Sequence, residues 1–295
     1  MDIRALAMGL AFALMWSSAF TSARIIVAHA PPLGISAIRF LIAGLVAVAI
    51  ARFLGQSWRL TTSQARATVI FGICQNALYL GLFFVAMQTI EASMAAIIAS
   101  TMPLLVALAG LAIFGERVRP LGIVGLAVGF AGVALIMGSR LQGGGVDPWG
   151  VAYCVIGVLA LTFATLAVRG ASSGGNVLMI VGLQMLVGAA VLAPASLLLE
   201  EWRIDWSPEF VLAFAYTVIV PGLVATLTWF LLVQRIGAVK AATFHFLNPF
   251  FGVAIAALLL GERLGPWDVV GVGVIMLGIL AVQLSRQPVT DPTRK

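Results

Sequence analysis

Long apolar runs separated by short polar interruptions make up nearly the whole chain. They fall at about 5–27, 33–54, 66–88, 91–114, 120–138, 147–168, 175–199, 208–232, 238–260 and 266–285. A hydrocarbon core of roughly 30 Å is crossed by about 20 apolar residues as helix, so runs of this length predict helical spans. Ten such spans with short connections predict an all-α membrane protein forming one transmembrane domain. The first run continues to about residue 27 without a small-residue cleavage pattern and is followed by further spans, so it is expected to stay in the mature protein.

Composition agrees: 62% of residues are apolar, 9% are charged, and the mean hydropathy is +1.11. The balance of +6 does not point to nucleic acid, because the basic residues are scattered singly between apolar runs. With a cytoplasmic N-terminus, twelve basic residues fall inside: Arg4, Arg52, Arg59, Arg66, Arg117, Arg119, Arg169, Arg235, Lys240, Arg286, Arg294 and Lys295. Five fall outside: Arg24, Arg39, Arg140, Arg203 and Arg263. This bias predicts that both termini face the cytoplasm. Cys74 and Cys154 lie in apolar runs with no CxxC or His-rich tract, which reads as packing; no metal or other cofactor is expected.

Laid on itself at an offset of 146, the sequence superposes Gln88 on Gln234, Ala95-Ala96 on Ala241-Ala242, Pro103 on Pro249 and Gly115-Glu116-Arg117 on Gly261-Glu262-Arg263. The register continues through Pro120 on Pro266, Gly125 on Gly271 and Gly132 on Gly278. Two repeats, 1–142 and 143–295, are expected. Five spans per repeat is an odd number, so the second copy enters the membrane from the opposite side, as in transporters whose site lies at the repeat interface.

These residues resemble the ten-helix drug/metabolite transporter (DMT) superfamily and its EamA-type exporters. The likeness rests on Trp16-Ser17-Ser18-Ala19-Phe20, Arg39-Phe40-Leu41-Ile42-Ala43, Pro103 and Pro249, the two Gly-Glu-Arg ends and Ala131-Gly132-Val133. It implies a basket of helices around a central cavity, in a bacterial inner membrane, exporting metabolites. A closer similarity to the YddG-like exporters of aromatic and other neutral amino acids is suspected. Transport of another metabolite or drug, such as a nucleoside, sugar or organic cation, stays open, as does a channel.

Candidate binding residues lie near mid-span. Pro103 and Pro249 each lack the amide hydrogen that would bond the carbonyl four residues earlier, which should release the carbonyls of Ala99 and His245 for a substrate ammonium group; a kink repaired by a neighbour is the alternative. Ser93, Ala96, Ser100, Pro103, Ala107 and Gly110 form a small-residue face in the fourth span. Ala241, His245, Asn248, Pro249 and Gly252 form its counterpart in the ninth. Such faces serve as packing seams or cavity walls, and His245 and Asn248 favour a cavity in the ninth span. Gln75 and Tyr79 stand one α-helical turn apart in the third span. Trp16, with Ser17 beside it, Tyr79, Phe163 and Phe244 are expected to wall the cavity with aromatic surface. Trp58, Trp149, Trp202, Trp206 and Trp267 fall near span ends, as interfacial anchors do. Gly122, Gly125, Gly129 and Gly132 with Gly271 and Gly278 read as a close helix-contact stripe.

All eleven acidic residues lie at or beyond span ends, which disfavours a cation-for-proton pump. The reading also places no Lys or Arg mid-span, which disfavours sugar-phosphate exchange. His245 is the one candidate proton carrier, and facilitated diffusion is an equal expectation. With only His29 and His245 as general bases, an enzyme is not expected.

Overall fold

The computed structural model describes residues 2–115, 118–142, 146–167 and 174–285. Glu116 and Arg117 of the first Gly-Glu-Arg end, Arg169, Arg286, Arg294 and Lys295 of the charge count, and Asp291 among the acids lie outside them. Ten helices are long and apolar enough to cross a membrane: α1 (Ile3–Val27), α2 (Pro32–Phe53), α3 (Thr62–Ala86), α4 (Ala92–Ile113), α5 (Pro120–Arg140), α6 (Pro148–Ala167), α7 (Val177–Leu199), α8 (Pro208–Ile236), α9 (Lys240–Leu260) and α10 (Pro266–Ser285). No strand occurs among the described residues.

Local chemistry sets the ends. Five of these helices open on proline (Pro32, Pro120, Pro148, Pro208 and Pro266), whose fixed φ suits the first turn and whose missing N–H would have had no helical partner. The Asp2 carboxylate caps α1 by accepting from the Arg4 and Ala5 amides at 3.1 and 3.3 Å. Thr61 and Gln64 form a reciprocal capping box at α3. Gly115 and Gly261 close α4 and α9 in the left-handed conformation, with φ of 62° and 67°.

Packing follows the glycines. Helices α2 and α7 meet where a Cβ added to Gly44 would lie 2.9 Å from the Gly182 carbonyl oxygen, and one added to Gly182 would lie 3.0 Å from that of Gly44. Helices α5 and α10 meet in the same way at Gly125 against Gly278 and Gly132 against Gly271. Only backbones without side chains approach this closely, so the stripe read from the sequence is a helix seam. Outward positions carry large apolar side chains, and the five tryptophans expected at span ends are exposed.

Two irregularities interrupt the helices, and both recur at the repeat spacing. Helices α3 and α8 contain π-helical segments, Gly72–Leu80 and Val218–Val224, which start 218 − 72 = 146 residues apart. Helices α4 and α9 are each broken near their centres and resume at Met102 and Asn248, again 248 − 102 = 146 apart. Pro103 and Pro249 sit in the first turn of the resumed halves rather than inside a continuous helix. The break in α9 is a 3-10 segment, Thr243–Leu247.

At the end carrying the loops that follow α1, α3, α5, α7 and α9, side chains tie neighbouring helices together. Glu200, just past α7, accepts from the Leu33 and Gly34 amides of α2 at 2.8 and 2.9 Å. Glu262, just past α9, accepts from the Ala92 and Ser93 amides of α4 at 2.7 and 3.0 Å. Arg140 at the end of α5 pairs with Glu91 and with Asp268, the latter at 2.9 Å. At the opposite end Gln56 accepts from the Met179 amide of α7 at 2.9 Å.

Candidate functional site

Midway along α1, a polar and aromatic cluster faces the broken stretch of α9. Phe12 and Trp16 lie one helical turn apart, with ring centroids separated by 5.7 Å. Phe12 also touches Trp229 of α8 at 4.8 Å and meets His245 edge-on at 5.3 Å, and Trp229 reaches His245 at 5.1 Å. The His245 Nδ1 and the Asn248 side-chain amide nitrogen are 2.9 Å apart. The Ser17 hydroxyl donates to the Asn248 backbone carbonyl at 3.2 Å, and the Asn248 side-chain oxygen is buried without a partner among the described residues. An unmet acceptor beside three aromatic rings is an environment that can hold a solute with a donor group and an apolar side chain.

Helix α1 continues this polar face towards its C-terminal end. Ser18 and Tyr216 share a hydrogen bond of 2.7 Å, and Thr217 donates to Ser22 at 2.7 Å. Thr21, between these two pairs, has a buried hydroxyl without a partner. The π-helical segment of α8 begins directly after Thr217, so the backbone widens where these contacts are made.

Several residues expected in the cavity lie elsewhere. Phe163 is 60% exposed on the outward face of α6, so it belongs to the lipid-facing surface. Tyr79 is buried against Phe83, at 4.6 Å, within the core that contains Cys154 and Val158 of α6. Gln75 is half-buried in the π-helical segment of α3 that also carries the buried Tyr79. Phe244 packs on Gly9 of α1, nearer the N-terminal end of α1 than the Phe12 and Trp16 pair.

The two prolines also differ. No described backbone amide donates to the Ala99 carbonyl, as expected from Pro103. The His245 carbonyl is not released: it accepts from the Asn248 amide, because the 3-10 turn shortens the ring and bypasses Pro249. The Ser100 hydroxyl is used within its own helix, donating to the Ile97 carbonyl at 2.7 Å. The small-residue face of α4 is a seam, since the Ala96 methyl occupies the space into which a side chain at Gly252 of α9 would project.

Arg39 requires the largest correction. Counted at sequence level with the outer loops, it lies inside α2, seven residues beyond Pro32, and is only 6% exposed. The reading that no Lys or Arg lies within the spans away from their ends therefore fails. Phe12, which is buried, and Trp229, which is half-buried, are further members of the Asn248 cluster that the sequence reading did not place in the site, and Tyr216, 38% exposed, reaches Ser18. Phe12 had a signal in its one-turn spacing from Trp16, and Trp229 in its mid-span position. An apolar groove of about 450 Å³ between Phe246 and the Val270–Leu280 side of α10 lacks this chemistry and is lined only by apolar residues.

The profile of the EamA-like transporter family matches the chain twice, over residues 3–138 and again over 148–284. The chain belongs to the EamA-like transporter family. Among curated relatives of this EamA-like protein is "Uncharacterized inner membrane transporter YedA" of Escherichia coli strain K12, 28% identical over 96% of this chain and 94% of that protein. "Uncharacterized transporter YvbV" of Bacillus subtilis strain 168 is 25% identical over 85% of this chain and 82% of its own length. A solved crystal structure covering 96% of this chain and 98% of its own superposes with a TM-score of 0.70 at 22% identity, which shows a shared fold. The molecule is thus a multi-pass membrane transporter of an all-helical, ten-span fold.

Proposed function

We propose that this EamA-like transporter exports neutral amino acids, aromatic ones among them, by alternating access through a cavity between two inverted five-helix repeats. The observation that carries the reading is the Phe12, Trp16, Trp229 and His245 cluster around Asn248, which offers aromatic surface and an unmet acceptor within the spans. The substrate ammonium group donates to the Asn248 side-chain oxygen and the Ala99 carbonyl. The substrate side chain lies on Trp16 and Phe12. The 146-residue recurrence of the π segments and helix breaks supports the repeat arrangement, and the odd number of spans per repeat supports its inversion.

Alternating access requires the two ends to open in turn. The contacts of Glu200 with α2, Glu262 with α4 and Arg140 with Glu91 and Asp268 hold one end together and must part for release there. An organic-cation substrate is disfavoured, because the described Asp and Glu residues lie near helix ends and Asp268 is already paired with Arg140. Uptake of radiolabelled phenylalanine, tryptophan, methionine and threonine into proteoliposomes tests the reading. Saturable uptake supports it, and transport of a sugar, nucleoside or cationic dye with none of these amino acids overturns it.

A further inference from the structure

A guanidinium inside a membrane helix normally finds a carboxylate or a set of carbonyls, because its charge and five N–H donors are poorly tolerated in hydrocarbon. Arg39 finds neither. Among the described residues its side chain makes no hydrogen bond or ion pair, and its Nε and Nη2 are fully buried without partners. Its neighbours are two aromatic rings, Phe40 at 4.3 Å and Phe84 at 4.8 Å. Ring faces attract the cation but leave its N–H groups without an acceptor in line.

The surroundings repeat the pattern. Ser36, one turn before Arg39 on the same face of α2, has a buried hydroxyl without a partner, as does Thr21 on α1. At 1.5 Å per residue, Arg39 lies about 10 Å from the Pro32 end of α2 and Thr21 about 9 Å from the Val27 end of α1, the same depth from the same side. The C-terminal Gly81–Ala86 stretch of α3 and the π segment of α8 each touch both α1 and α2. These four helices therefore surround one interior region in which Arg39, Ser36 and Thr21 carry polar atoms without partners among the described residues, while Ser18 and Ser22 are paired with α8.

We propose that Arg39 binds the carboxylate of the transported solute, in the part of the cavity walled by α1, α2, α3 and α8. A planar guanidinium presents two parallel N–H donors that match a carboxylate, and a bound anion neutralises the charge. This rests on the amino-acid reading and deepens it. The Asn248 cluster takes the ammonium group and side chain, Arg39 takes the carboxylate, and the preferred substrate class becomes the intact α-amino acid rather than its amide or amine.

The test combines transport and stability in purified wild type, Arg39→Lys and Arg39→Met, with L-phenylalanine and L-phenylalaninamide as probes. The amide keeps ring and amine but lacks the carboxylate. Wild type is expected to carry phenylalanine with at least about tenfold better apparent affinity than phenylalaninamide, the size of one charge-assisted hydrogen bond. Phenylalanine should raise the melting temperature of wild type and leave that of Arg39→Met unchanged, with Arg39→Lys intermediate. Without ligand, Arg39→Met should be at least as stable as wild type, because an apolar side chain replaces an unpaired buried charge. Equal transport of the two probes by wild type, or wild-type phenylalanine affinity in Arg39→Met, overturns the assignment while the amino-acid reading stands. Failure of Arg39→Met to fold, together with wild-type affinity in Arg39→Lys, also overturns it by making the residue a structural anchor. A wild type that carries neither probe but carries an uncharged sugar overturns both.

Discussion

The Ser17 hydroxyl of α1 donates a hydrogen bond to the Asn248 backbone carbonyl of α9 at 3.2 Å. It joins residues 231 positions apart at the point where α9 resumes after its break. A backbone carbonyl held by a side chain from a different span anchors the turn that carries Asn248 and His245, and His245 in turn meets Phe12, the neighbour of Trp16 on α1. This contact therefore couples the shape of α9 to the position of the aromatic surface on α1.

Truncating that surface should weaken binding. Burying a large apolar side chain is worth about 1.5 to 3 kcal/mol, so Trp16→Ala is expected to lower apparent affinity for tryptophan and phenylalanine by about tenfold or more. Threonine should be affected less. Concentration-dependent uptake into proteoliposomes checks both.

Gly129 faces Leu104 of α4, and Gly278 of α10 lies directly against its backbone. Gly129→Leu forces these helices apart, and overpacking of this kind costs about 1 to 3 kcal/mol. Folded yield and melting temperature in detergent should both fall, and wild-type values would show that the seam is not formed.

Removing the Glu262 carboxylate takes the acceptor from two amides at the start of α4. Loss of a cap costs about 0.5 to 2 kcal/mol, so Glu262→Ala should lower the melting temperature. Glu262→Gln keeps one acceptor oxygen and should recover part of the loss.

The topology makes a labelling pattern expected: a cysteine at Glu201 reacts with an impermeant thiol reagent added outside intact cells, and one at Ser57 does not. Both positions are exposed, so burial cannot produce the difference. The reverse pattern would invert the orientation derived from the basic residues.

Span number, the glycine seams and the tryptophan belt were legible in the sequence because each depends on a period or a length. Gly125 and Gly132 stand seven residues apart on one helix face, and no fold is needed to see that. Arg39 stands inside the run 33–54, but counting basic residues only by the side of the membrane groups it with the outer loops, and its burial is visible only once α2 is packed. Phe163 was assigned inward because an aromatic residue suits lipid and cavity equally, and only packing against α3 decides which face of α6 turns in. The His245 carbonyl was called free on the rule for α-helices, whereas the chain changes to a 3-10 turn there and supplies the Asn248 amide.

The most direct measurement of the central claim is counterflow of labelled phenylalanine in proteoliposomes preloaded with the unlabelled amino acid. An alternating-access carrier for neutral amino acids should show transient accumulation of label above equilibrium, saturating with concentration and reduced in Trp16→Ala. Flux that rises linearly with concentration without overshoot, or overshoot with a sugar or nucleoside but with no amino acid, would contradict the account.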